Sequence, residues 1–146
     1  MTEPAAESLR IVIGENNPDL AGTLRLLLDA EPDMQCVAIV ASSRDLLAAV
    51  AEHSPNAFIV DLSLDDGSSL PLIPKLRQQL PRAAIVVFTG HKNEVLSEHC
   101  LRAGADAVVV KSAAFEELAA ALRASARRPS SAGGSGGPGR SRAPDG

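Results

Sequence analysis

Five polar residues stand directly after short apolar runs: Glu15 and Asn16 after Leu9–Gly14, Asp61 after 57–60, Thr89 after 84–88 and Lys111 after 107–110. They offer an acid, an amide, a second acid, a hydroxyl and an amine, a set suited to a phosphoryl group carried on a carboxylate. Asp61 is the candidate nucleophile, because carboxylates form acyl phosphates. An oxygen-ligated Mg2+ held by Asp61 with Glu15 and Asn16 would neutralise charge on the transferring group. The Lys111 ammonium is a compact cation for phosphate oxygens, and the Thr89 hydroxyl can donate to another.

Only a fold brings such distant residues together. Each run is short, apolar and often β-branched, and each is followed by residues repeating at helical spacing. Five strands are expected over 9–14, 36–40, 57–61, 84–88 and 107–110. The first helix is expected from Asn17 as cap and Pro18 in the first position to about Ala30, the second from Ser42-Ser43, the third from near Ser68-Ser69 with Pro71 in its first turn. The fourth ends at Gly104 and the fifth near Ala126. Strand–helix alternation with near-continuous apolar strands implies a parallel sheet covered on both faces. The residues just after the strands then share one edge, where open α/β sheets bind ligands, so Asp61 is expected as an exposed handle.

The totals exclude other classes. Residues 1–126 carry ten Lys and Arg against seventeen Asp and Glu, a balance of −7, and residues 127–146 carry +3. An acidic body is a poor electrostatic match for nucleic acid. Cys36 and Cys100 have no CxxC spacing and read as small hydrophobes in a reducing compartment. No basic leader and no run of about 18 apolar residues occurs, so a cytoplasmic protein is expected. Residues 127–146 are rich in Gly, Ser, Pro and Arg and read as a disordered tail or a truncated linker after a domain at 8–126.

Several motifs together resemble the receiver domain of two-component response regulators, across about residues 8–126. They are Ile13-Gly14-Glu15-Asn16-Asn17-Pro18, the stretch Phe58-Ile59-Val60-Asp61-Leu62-Ser63-Leu64-Asp65-Asp66-Gly67, Phe88-Thr89-Gly90, Ala103-Gly104-Ala105-Asp106 and Val110-Lys111-Ser112. The resemblance implies a flavodoxin-like (βα)5 three-layer sandwich. It implies that Asp61 accepts a phosphoryl group from a sensor histidine kinase or phosphotransfer protein. Thr89 would be the switch hydroxyl and Lys111 the phosphate contact, and Ser63 would add its backbone carbonyl to Glu15, Asn16 and Asp61 around Mg2+. The responding face would be the fourth helix, fifth strand and fifth helix, directed at a downstream protein. No enzymatic turnover beyond slow self-dephosphorylation is expected.

Three departures from the family pattern stand out. Asn16 replaces the second acid, which predicts weakened Mg2+ affinity. Val108 stands where an aromatic residue is usual. No DNA-binding domain follows within the chain, which points to a stand-alone receiver or a chain ending inside a linker. The alternative to a phosphorylated switch is therefore a degenerate receiver that binds a partner constitutively. A phosphohydrolase is disfavoured, since neither DxD, DxHxxG nor a P-loop occurs and no GxGxxG follows any of the expected strands. His91 is expected exposed beside the pocket, and His53 and His99 have no ligand partners at metal spacing.

Overall fold

The computed structural model describes residues 8–91 and 93–126. In chain order the elements are β1 (Leu9–Gly14), α1 (Pro18–Asp29), β2 (Met34–Val40), α2 (Ser43–His53), β3 (Ala57–Val60), the two short strands β4 (Ser63–Leu64) and β5 (Gly67–Ser68), α3 (Leu72–Gln79), β6 (Ala84–Thr89), α4 (Glu94–Ala103), β7 (Ala107–Val110) and α5 (Phe115–Ala126). Five strands form one sheet in the order β2-β1-β3-β6-β7, every neighbouring pair parallel. The expected fold class is the observed one, and residues 127–146 lie outside the described residues.

Alternation along the strands sorts the core into two layers. Ile11, Ile13, Ala57, Ile59, Ala84, Val86 and Phe88 face α1 and α5, where they meet Leu24, Leu28, Leu118 and Leu122. Val12, Phe58, Val60, Ile85 and Val87 face the other way, onto Leu46 of α2, Ile73 and Leu76 of α3 and Cys100 of α4. The central strands β3 and β6 are buried throughout, whereas most of the edge strand β7 is half-buried. A strand with a helix on each face must be apolar at every position, and this is why the runs read continuously rather than alternately.

Helix starts follow their side-chain caps. The Asn17 side chain accepts from the amides of Asp19 and Leu20 with Pro18 first in α1, Ser42 accepts from Asp45, and Asn93 accepts from Leu96. The third helix departs from expectation. It begins at Leu72, not near Ser68-Ser69, because residues 63–68 fold into a hairpin pairing Ser63 with Ser68 and Leu64 with Gly67. Gly67 closes it at φ 108°, in a region side chains rarely adopt. The start of α3 has no side-chain cap, and the Ser69 hydroxyl instead donates to the Asp61 carbonyl at 2.7 Å.

Candidate functional site

The connection after β1 runs to β2 on one side and that after β3 to β6 on the other, which opens a crevice beyond the carboxyl ends of β1 and β3. Asp61 is the first residue past β3 and Glu15 the first past β1. Asp61 hangs from β1 through its amide, which donates to the Gly14 carbonyl at 2.8 Å, and Glu15 hangs from β2 through its amide to Val40 at 2.9 Å.

The expectation of an exposed carboxylate at Asp61 needs correction: the residue is only 7% exposed. The cause is Lys111, one residue past β7, whose Nζ donates to Asp61 Oδ2 at 2.8 Å and covers it. The same ammonium lies 2.8 Å from Glu15 Oε1, an atom buried without a hydrogen bond of good direction, so this second contact is an ion pair. Glu15 Oε2 accepts from the amide of Asn17 at 2.9 Å. Burial disfavours the charged amine, but the hydrogen bond to Asp61 and the close contact with the Glu15 carboxylate outweigh it and raise the Lys111 pKa above its ordinary value.

The other expected residues sit around this triad. Thr89 is buried at the end of β6, its hydroxyl donating to the His91 carbonyl at 3.2 Å, while its own carbonyl accepts from the Lys111 amide at 2.7 Å. His91 is exposed. Ser63 donates its amide to Asp61 Oδ1 at 3.2 Å. Asn16 is exposed at the rim and donates Nδ2 to Asp65 Oδ1 at 3.1 Å. Glu15, Asp61 and Lys111 are thus in direct contact, and Thr89, Ser63 and Asn16 reach them through one bond or a shared backbone.

Sequence reasoning missed three residues. Ser69 is fully buried and fixes the acceptor loop from below, through its hydroxyl on Asp61 and its amide on the Leu62 carbonyl. Asp65 meets Asn16. Asp66 accepts from the first two amides of α2, Ser43 at 2.8 Å and Arg44 at 3.2 Å, and these, the Ser43 bond first, hold its carboxyl below the usual range. The pair Asp65-Asp66 followed by glycine signals a turn.

A model of the response regulator receiver domain matches residues 11–123. The chain belongs to that family. Among curated relatives it is 31% identical over 116 residues to the oxygen regulatory protein NreC of Staphylococcus haemolyticus and 29% identical to NreC of Staphylococcus carnosus, covering 79% of this chain and 54% of each relative. The chain therefore spans about half the length of these relatives. A LuxR-family two-component response regulator from Aurantimonas sp. SI85-9A1 superposes with a TM-score of 0.77 at 26% identity, covering 95% of this chain and 92% of that one. A response regulator from Burkholderia pseudomallei, solved with a phosphorylated aspartic acid, calcium ion and citrate, gives 0.74 at 28%, over 82% of this chain and 69% of that one. The receiver domain of NarL from Mycobacterium tuberculosis shares the fold at 0.74 and 18% identity, over 84% and 99%.

The oxygen-only donors around Asp61 suit a hard divalent cation. Among the described residues no three His, Cys, Asp or Glu side chains converge as a metal cage. A cation here would accordingly be held by Glu15 and Asp61 with neutral oxygens and water, which is how Mg2+ is commonly bound. Among the same residues no helix is long and apolar enough to cross a membrane.

Proposed function

We propose that this receiver domain takes a phosphoryl group on Asp61 from a sensor histidine kinase or phosphotransfer protein and signals by the rearrangement that follows. The observation that carries the reading is the shared ammonium: Lys111 lies 2.8 Å from both Glu15 and Asp61. An Asp61 oxygen forms the new P–O bond as the bond from phosphorus to its donor nitrogen breaks, the electron pair departing on that nitrogen. Lys111, already charged and in place, then follows the negative charge from carboxylate to phosphoryl oxygens. Glu15, Asp61, the Asn16 amide oxygen and the Ser63 carbonyl are the groups that would hold Mg2+, and the ion would neutralise phosphoryl charge.

Phosphorylation adds about −1.5 to −2 charge at neutral pH. The Thr89 hydroxyl, spent on a carbonyl two residues away, exchanges that weak bond for a phosphoryl oxygen. Its loop leads into α4, so the responding surface is α4, β7 and α5. In support, α4 exposes Val95 at 69% and Leu101 at 47%, and β7 is half-buried. We place the domain at 8–126 and in the cytoplasm, where its kinase would present phosphohistidine.

Acetyl phosphate with Mg2+ should add one phosphoryl group to the wild type by intact mass and none to Asp61→Asn. Undiminished labelling of that variant removes the nucleophile assignment. The absence of labelling in the wild type at millimolar Mg2+, with partner binding retained, would favour the constitutive interaction module, for which Asn16 in place of an acid is the supporting feature.

A further inference from the structure

Asn16 stands where the cation site lacks an acid, and the structure brings a carboxylate to it from 49 residues away: Asn16 Nδ2 donates to Asp65 Oδ1 at 3.1 Å. A carboxylate oxygen can take only the NH2 end of an amide, because two oxygens repel. With Nδ2 committed to Asp65, the side-chain atom that Asn16 has left to offer is Oδ1, the end a cation accepts. Without Asp65, the amide could equally turn its NH2 inward, and a cation would then meet a donor.

The position of Asp65 is itself built. Its amide donates to the Ala41 carbonyl at 2.9 Å, its neighbour Asp66 is held by the α2 amides, and Ser63 and Ser69 bind the ends of the hairpin to Asp61. The charges point the same way. Glu15 and Asp61 share one ammonium and together leave a net charge of −1, and Asp65 brings the group to −2, the complement of a divalent ion. Inside, Glu15 Oε1 is buried and faces the Lys111 ammonium at 2.8 Å.

We propose that Asp65 belongs to the divalent-cation site, as a positioning residue that turns the Asn16 carbonyl oxygen toward the ion and as a source of the charge that Asn16 lacks. The inference rests on the phosphoacceptor reading of Asp61 and concerns this chain's own substitute for a second acid. It adds to the expectation of weakened affinity at Asn16 a nearby charge that would offset part of the loss.

The test is Mn2+ affinity of the full chain, read from the free-ion EPR signal, for the wild type, Asp65→Asn, Asn16→Asp and the double variant, with far-UV circular dichroism showing each to be folded. Asp65→Asn, which preserves shape but removes the charge, should weaken Mn2+ binding about tenfold or more. Asn16→Asp should tighten binding more in the Asp65→Asn background than alone, because on its own it sets two carboxylates against each other. Equal affinity of Asp65→Asn and wild type, or additive effects of the two substitutions, overturns the inference and leaves Asp61 as acceptor untouched. A wild type that binds no Mn2+ overturns the cation site and this inference together, and acetyl phosphate labelling then decides separately on Asp61.

Discussion

The ammonium of Lys111 rests 2.8 Å from the carboxylate of Asp61, and the two residues come from strands separated in the sheet by β6. Their contact closes the site across a strand that contributes Thr89 to the same edge. Replacing Lys111 with Ala should strand Glu15, whose side chain is 2% exposed, and cost about 2 kcal/mol or more. Urea unfolding followed by far-UV circular dichroism measures this, since the chain has no Trp or Tyr. The Lys111 pKa is raised, so its contribution is complete below about 10.4, the unfolded value, and fades only as pH rises through the still higher folded value. Lys111 should therefore add no pH dependence to stability between about pH 6 and 9.

Ser69→Ala removes the donor to the Asp61 carbonyl inside a fully buried site. The expected loss is about 1–2 kcal/mol of stability together with slower labelling by acetyl phosphate. Ser69→Thr keeps the hydroxyl and should recover labelling more fully than stability. Equal labelling rates for Ala and wild type would show that the acceptor loop holds its shape without this bond.

Asp66 gives an acid-sensitive joint. Its carboxyl is held low by the amides of Ser43 and Arg44, so it stabilises the junction of hairpin and α2 above about pH 3.9 and loses that effect as pH falls through its folded value. Amide resonances of Ser43 and Arg44 in an NMR acid titration should shift together with a midpoint below about 3.9. Asp66→Asn should abolish that common transition.

Arg77 braces the opposite end of the sheet. Its guanidinium donates to the carbonyls of Gly104, Pro81 and Ala83 and to the Asp106 carboxylate at 2.9 Å. Lysine offers one point charge for this fork, so Arg77→Lys should still cost about 2 kcal/mol in urea unfolding. Gly104→Ala should destabilise as well, because the residue sits at φ 125° and an added Cβ would lie 3.0 Å from Arg77 Cβ. Phosphoryl labelling per folded molecule should be unchanged in both variants.

What could be read from the sequence follows from how each feature is encoded. Asp61, Thr89 and Lys111 were legible because β-branched runs announce their strands and a parallel sheet gathers strand ends whatever its strand order. The cap at Asn17 and the helix start at Ser42-Ser43 were legible because such signals are local. The hairpin was not, since strands of two residues have no period to detect, and Ser68-Ser69 imitates a helix cap. The burial of Asp61 depends on a side chain fifty residues away, and the partner of Asn16 on a turn whose aim only tertiary structure sets.

Asp65 and Asp66 are consecutive, yet one is committed to the loop after β1 and the other to the first turn of α2. The turn therefore works as a spacer of fixed gauge, and a single residue inserted between them would detach either the rim of the site or the second helix. Lengthening is a graver change here than any substitution at the tip, and the acceptor loop is held to one length by its neighbours on both sides.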